Sequence, residues 1–256
     1  MKKFNIVARS DTKSQEYKQI LKNKCQNAGL VYDEQSPNVV IVIGGDGSVL
    51  YAISKYMNII EDIVFVGVKT GTLGFFCDYQ DNEFDLLIND ILFDRLQICS
   101  YPLLQAKCDG YKQIFYALNE IRVEDIVSTL HLDVIINDQL FEHYRGTGMC
   151  VSTQLGSSAY NRSLGGALIE EGLDLMQMTQ IAGIHHCQYR SLQSPLILSK
   201  SSKVCLQSDQ FASARMGLDV LSFSLENSKK IEISYSNRYV QLVRRVSYLK
   251  RLTTLF

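Results

Sequence analysis

Val39-Val40-Ile41-Val42-Ile43-Gly44-Gly45-Asp46-Gly47-Ser48 runs five apolar residues into three glycines and one aspartate. An unbroken apolar run of this length reads as a strand covered on both faces, as in a parallel sheet. Beyond it Val49, Leu50, Ile53 and Met57 recur at helical spacing, which predicts a helix over 48–57 with Ser48 as its cap. A strand, a glycine turn and a helix start place backbone N–H groups where a phosphate can meet them. Asp46 is the one ionisable group in the turn. No Gly-Lys-Ser/Thr follows, so the loop is not a Walker A motif, and the spacing is not that of a dinucleotide fingerprint. An acid in a phosphate nest suits a base or an anchor for phosphoryl transfer. A plain strand-to-helix turn capped by the aspartate fits the same residues.

The surrounding first third alternates strand and helix. Phe4 to Ala8 is a short strand, Ser14 to Ala28 a helix stopped by Gly29, and Ile63 to Val68 a second buried strand. That strand ends in another glycine turn, Lys69-Thr70-Gly71-Thr72-Leu73-Gly74-Phe75-Phe76, and 81–93 reads as a helix. Alternating βα units imply a parallel sheet with ligands at the carboxyl ends of its strands, so both glycine turns are expected to line one crevice.

Near residue 97 the pattern changes to strands: 97–107, 113–123 across an Asp109-Gly110 turn, 130–137, 139–145, 149–153, 175–181, 195–198, 203–207, 214–218 and 230–235. The expectation is an α/β N-terminal domain with a parallel sheet (1–96 with 237–256) and a mainly antiparallel β C-terminal domain (97–236). Residues 239–256 carry Leu242, Val243, Val246, Leu249 and Leu252 at helical spacing with Arg244, Arg245, Lys250 and Arg251 outside, which reads as a packing helix.

At 256 residues the chain can bury a sizeable core. With 26 basic and 27 acidic residues, no global field favours nucleic acid. Seven scattered cysteines without a Cys-x-x-Cys pair fit reduced thiols in the cytoplasm rather than a disulfide framework or a zinc site. No stretch approaches a membrane span. His185 and His186 are adjacent and read as a surface or interface pair. Cys150 reads as a buried thiol.

Two later stretches carry chemistry. Asn119-Glu120 sets an amide beside a carboxylate at a strand end, where the pair could hold a vicinal diol or could simply be solvated. The run from Gly146 to Ala167 holds five glycines, a hydroxyl cluster and Tyr160, enough for a shelf under a planar ring or for a plain glycine-rich loop.

Taken together, Gly44-Gly45-Asp46-Gly47-Ser48, Gly71-Thr72-Leu73-Gly74-Phe75, Asn119-Glu120, Gly156-Ser157-Ser158-Ala159-Tyr160-Asn161, Ser163-Leu164-Gly165-Gly166-Ala167, Ser194-Pro195-Leu196 and Met216-Gly217-Leu218-Asp219 resemble, in order, the motifs of the bacterial ATP-NAD kinases. The first motif is shared with the wider diacylglycerol kinase and phosphofructokinase-like superfamily, so a lipid or sugar kinase is the alternative, with a nucleotide-binding module behind it. The resemblance implies NAD and ATP as substrates and phosphorylation of the adenosine ribose 2′-hydroxyl, with Mg2+ or another divalent cation screening the phosphates. It implies Asp46 as the catalytic group and Gly44, Gly45, Gly47 and Ser48 against the phosphates. Gly45, Asp46, Gly47, Gly74, Phe75, Asn119, Glu120, Ser158, Ala159, Tyr160 and Ser163 would contact NAD. It further implies a last helix that packs back on the first domain and a homodimer or homotetramer. The chain departs from the family pattern at Thr147 (an acid near the nicotinamide end in relatives), at Gln154-Leu155, across Ile169 to Gly172 and at Val220.

Overall fold

Five apolar residues in a row leave no polar face, and Val39–Ile43 is buried throughout in the computed structural model, which describes residues 1–71, 74–185 and 190–255. Thr72 and Leu73 of the second glycine turn and His186 lie outside the described residues. Two compact units form, Met1–Tyr101 with Arg238–Phe256 and Pro102–Asn237.

The first unit runs β1 (Lys3–Ala8), α1 (Thr12–Asn27), β2 (Val31–Tyr32), β3 (Val39–Ile43), α2 (Asp46–Lys55), a 3-10 stretch (Met57–Asp62), β4 (Val64–Lys69), β5 (Cys77–Gln80) and α3 (Phe84–Leu92). Its strands pair in parallel in the order β2-β1-β3-β4, as βα alternation demands. The far edge of β4 is shared: β5 pairs at its carboxyl end and Gln241–Leu242 pair with Val64–Phe65 at the other. Phe4, Ile6, Ile41, Ile43, Val66 and Val68 of the sheet meet Leu21 and Cys25 of α1 and Leu87 and Ile91 of α3. A last helix, Tyr248–Leu255, belongs to this unit and sets the Tyr248 ring 5.9 Å from that of Phe75.

Several boundaries differ from the expectation, each for a physical reason. Helix α2 begins at Asp46 rather than Ser48, because extended Gly45 (φ −109°, ψ −170°) already serves as its N-cap. The proposed helix over 239–256 holds only for Tyr248–Leu255; Tyr239–Val243 stays extended because pairing with the central β4 outweighs a helical apolar spacing. The expected strand over 113–123 is two strands in different sheets, Phe115–Ala117 and Glu120–Glu124. The short strands β2 and β5 carried no sequence signal of their own.

The second unit adds β6 (Ile98–Cys108, entering from the first unit), β7 (Phe115–Ala117), β8 (Glu120–Glu124), β9 (Leu130–Ile136), β10 (Gln139–Gly146), β11 (Gly148–Ser152), a 3-10 turn (Gly156–Ser158), the single-turn α4 (Tyr160–Ser163), β12 (Leu175–Ile181), β13 (Leu196–Ser199), β14 (Lys203–Gln207), β15 (Arg215–Leu218), β16 (Leu221–Ser224) and β17 (Lys230–Val243). One layer orders β10-β9-β14-β17, all antiparallel, with β6 and β7 beyond. The other is a six-stranded antiparallel sheet, β13-β12-β11-β8-β15-β16. Alternate residues of both layers make the shared core: Ile121, Val123, Met149, Val151, Met176, Met178 and Met216 from the second, Leu132, Val134, Val204, Leu206, Ile231 and Ile233 from the first.

Tyr144 closes one end of this core. Its buried hydroxyl donates to the Ile181 carbonyl (2.7 Å) and accepts the Gly148 N–H (3.1 Å). Tyr144→Phe leaves both backbone groups wanting a partner in an apolar setting. The expected cost is about 1–3 kcal/mol, which lowers the melting temperature by roughly 3–8 °C while leaving activity intact. Calorimetric melting of the variant checks it; an unchanged midpoint removes the hydroxyl from the stability argument.

Candidate active site

Asp46 opens α2, where the helix N-terminus favours negative charge. Its carboxylate does not cap its own helix. Oδ2 accepts the N–H of Phe75 and Oδ1 that of Phe76, both at 2.8 Å. A Cβ on Gly74 would stand 2.4 Å from Oδ1, so the close approach of backbone 74–76 to the carboxylate requires glycine there. The carboxylate thus brings Gly44, Gly45, Gly47 and Ser48 of the first turn together with Gly74 and Phe75 of the second. Gly47 is exposed, Gly45, Asp46 and Ser48 are half-buried, and Gly44 is buried, its N–H bonded to the Val68 carbonyl (3.0 Å). The first N–H groups of a helix find no partner inside it, so this turn presents donors to an anion.

Behind the turn stand two residues that spacing placed on a solvent face. Arg251 Nη1 donates to the Phe75 carbonyl at 2.9 Å, and Arg244 Nη1 contacts the same oxygen. Arg251 also pairs with Asp78, whose Oδ1 takes the N–H of Arg245 (2.7 Å) and Val246 (3.1 Å). Arg244 donates to Tyr101 Oη at 2.9 Å. Both arginines are buried, at 8% and 3% exposure. Helical periodicity missed this because Arg244 is not on a helix at all and a guanidinium with several acceptors can be buried.

The second unit carries a candidate site of its own, which grows from strand alternation. Residues that face away from the core on β8, β11, β12 and β15 fall in cross-strand rows: Thr179, Cys150, Arg122 and Gly217 in one, Gln177, Ser152 and Glu120 in the next. This outer face is polar, yet Ser152, Cys150, Gln177 and Thr179 are buried. The segment after β11 ties into the same face. Thr179 Oγ1 donates to Asn161 Oδ1 (2.6 Å), and the Gln177 amide makes two bonds to the Ala167 backbone (2.8 and 2.9 Å).

Asn119 and Glu120 sit where β7 ends and β8 begins, each 5% exposed, so the solvated alternative is overturned. Asp219, in the left-handed region at φ +50°, accepts the backbone N–H groups of Leu118 (2.7 Å), Asn119 (2.8 Å) and Glu120 (3.1 Å) and so fixes the course of the chain there. Thr153 holds it from the other side through the carbonyls of Leu118 (2.7 Å) and Asn119 (2.8 Å). A Cβ on Gly156 would lie 2.0 Å from the Asn119 carbonyl oxygen, so that crossing needs glycine. With the backbone held, Asn119 Oδ1 and Glu120 Oε2 remain buried without a partner, and Arg122 Nε and Ser152 Oγ on the same face are in the same state. Buried polar groups in that condition are where an ordered water or a polar ligand belongs.

Arg122 lies over the Tyr160 ring, 4.7 Å from its centroid. Its guanidinium also rests on Gly217, where a Cβ would be 2.8 Å from Nε. Tyr160 is therefore propped from below, with Ala159 and Ser158 beside it half-buried and Ser163 exposed at the end of α4. The departures from the family pattern find structural places. The Gln154 side chain accepts the Gly172 N–H (3.0 Å) and Leu155 is buried, whereas Val220 is exposed.

Burial pushes the Glu120 carboxyl up to about 8, and the nearby Asp219 charge adds to that. Burial raises Asp219 to about 6 against the pull of its three amide donors. Near neutral pH Asp219 holds the charge and Glu120 the proton. Burial likewise lifts the Cys150 thiol far above its ordinary value, which makes it inert. His185 is exposed and its Nδ1 takes the Ser191 N–H (3.1 Å).

Known proteins share this arrangement of chain. A model of the ATP-NAD kinase C-terminal domain matches residues 118–245. The NAD kinase of Staphylococcus aureus (strain JH9) is 36% identical over 247 residues, covering 94% of this chain and 92% of that protein. The crystal structure of yeast NADH kinase complexed with NADH is similar at a TM-score of 0.83 and 18% identity, over 100% of this chain and 87% of that one. An NAD kinase from Archaeoglobus fulgidus in complex with ATP gives 0.74 at 19% identity, over 100% and 97%. The two structures speak to the fold, and the identity to the bacterial enzyme speaks to descent: the chain belongs to the NAD kinase family.

Proposed function

We propose that this chain transfers a phosphoryl group from ATP to the 2′-hydroxyl of the adenosine ribose of NAD, giving NADP. The observation that carries the reading is the pair of buried, unpartnered oxygens, Asn119 Oδ1 and Glu120 Oε2, on a backbone that Asp219 and Thr153 hold rigid. A diol offers hydroxyls that can donate to an amide oxygen and accept from a protonated carboxyl. Glu120, protonated near neutral pH, can give a hydrogen bond to one sugar oxygen while Asn119 accepts from another.

Asp46 takes the part of orienting or deprotonating the attacking hydroxyl. Each of its oxygens spends one acceptor site on a backbone N–H and retains another for the substrate. Gly45, Gly47 and Ser48 receive phosphate, whereas Gly44, expected there as well, is buried with its N–H given to Val68 and shapes the turn instead. Tyr160 with Ser158, Ala159 and Ser163 receives the adenine, and Gly74 and Phe75 border Asp46. Among the described residues no group of three or more His, Cys, Asp or Glu could hold a metal ion. A divalent cation, Mg2+ in this proposal, rides on the nucleotide phosphates, where it screens their charge. Little covalent chemistry is asked of the protein, so positioning supplies most of the rate.

The proposal extends to a homodimer or homotetramer, supported by an edge strand, β10, with exposed Leu140 and Phe141 beside a cavity of about 410 Å3. It extends also to the cytoplasm, supported by six described cysteines that are all free. Among the described residues no helix is long and apolar enough to cross a membrane.

Incubation of the purified protein with NAD, ATP and Mg2+ should yield NADP. Asp46→Asn should lower that rate by about 10²–10⁴-fold with NAD still bound; wild-type turnover in this variant removes Asp46 from the mechanism. A second expectation concerns pH. The folded state holds the Glu120 proton more tightly than the unfolded chain, whose carboxyl has its ordinary value near 4.5. The stability this contributes is complete below that value and is lost as pH rises through about 8. The ligand-free melting temperature should therefore fall between pH 5 and 8 more steeply in the wild type than in Glu120→Gln. Parallel melting curves would show that Glu120 is not the titrating group.

A further inference from the structure

Two buried guanidiniums bear on Asp46 through one peptide unit. Arg244 and Arg251 both place Nη1 on the carbonyl oxygen of Phe75. The same peptide unit carries the N–H of Phe76, which donates to Asp46 Oδ1 at 2.8 Å. In a trans peptide the C=O and N–H point in opposite directions. Positive charge therefore stands at one end of this dipole and the Asp46 carboxylate at the other.

A neutral carbonyl is satisfied by one ordinary donor. Here it receives two charged ones, each desolvated at a cost that burial of a guanidinium always carries. Asp78 compensates Arg251 directly, at the other side of its fork. Arg244 lies against the faces of Phe76 and Tyr101, at 5.4 and 5.2 Å from their centroids. Charge drawn onto the carbonyl oxygen polarises the peptide and makes its N–H a stronger donor, as in any hydrogen-bond chain of low dielectric.

We propose that Arg244 and Arg251 are positioning residues that align and hold Asp46 through the Phe75–Phe76 peptide. The inference rests on the role given to Asp46 above. It assigns to residues 244 and 251 a part in phosphoryl transfer that they play through this peptide. The carboxylate must not swing when a hydroxyl arrives, and misplacement by about 1 Å is worth on the order of 100-fold in rate.

The test separates this role from the salt bridge. Asp78→Asn keeps an oxygen for the Arg245 and Val246 N–H groups and leaves Arg251 on the Phe75 carbonyl; it should turn over within about twofold of wild type. D78N/R251M removes the guanidinium without stranding a buried carboxylate. Its kcat should fall about 10- to 100-fold while the KM for NAD changes little, and D78N/R251K should regain part of the loss. Arg244→Lys, which leaves Asp78 and Arg251 in place, should show the same kcat-against-KM split. Melting curves report the fold of each.

A folded D78N/R251M that turns over like D78N, or a loss confined to KM, overturns the inference. If that double variant does not fold, wild-type kcat in Arg244→Lys overturns it instead. An inactive Asp46→Asn beside a normal D78N/R251M defeats this inference alone, whereas an active Asp46→Asn defeats the reading on which it rests.

Discussion

The N–H groups of Phe75 and Phe76, given to the two oxygens of one carboxylate, are the constraint that the first unit is built to satisfy. An aspartate at the first turn of a helix can bend back to cap that helix, and then it has nothing to offer a ligand. Two donors from a different turn prevent this. They can be supplied only because β3 and β4 are adjacent and parallel, which brings the segments after both strands to the same edge of the sheet. The missing side chain at Gly74 lets the backbone come near enough, and the guanidiniums behind Phe75 fix the plane of the peptide.

The second unit meets a different difficulty. A sheet with one face on the core ordinarily turns a solvated face outward, and here the middle of that face, at Glu120, Cys150, Ser152, Gln177 and Thr179, is buried. Most of its groups find partners in the segment that covers it, as Thr179 and Gln177 do. Those that do not are gathered around Asn119 and Glu120. An unpartnered buried polar group costs about 1–3 kcal/mol, and here several, which the proposed diol would satisfy, are held on one rigid backbone. Asp219 is the anchor of that rigidity, at a conformation an L residue seldom adopts, so strain and site coincide.

What could be read from the sequence follows from how local each signal is. The strand at Val39–Ile43, the turn around Asp46 and the strand runs after residue 97 are local patterns, and the α/β and antiparallel β architecture follows from them. Motif order likewise sufficed for the family. The partners of those motifs are distant in sequence and leave no periodic trace: Asp219 lies about a hundred positions from the amides it accepts, and Arg251 farther still from Phe75. Spacing puts Arg244 and Arg251 in water because a charged residue in an amphipathic repeat normally belongs there. The sheet pairing of Gln241–Leu242 takes Arg244 off the helix, and Asp78 with the Phe75 carbonyl draws Arg251 inward from it. The division of Asn119 and Glu120 from the strand before them was hidden for a related reason, since a switch from one sheet to another looks like one continuous strand.

The first unit draws on both ends of the chain, and this has a bearing on the order in which it can be completed. When a ribosome has made the residues up to 237, everything the second unit needs exists, while β4 still has half an edge bare and the Phe75 carbonyl faces no guanidinium. Residues 238–251 supply both at once. Only with them is the Phe75 carbonyl backed by a guanidinium on the side away from Asp46, so the turn that meets this carboxylate is completed by a residue 176 positions further along.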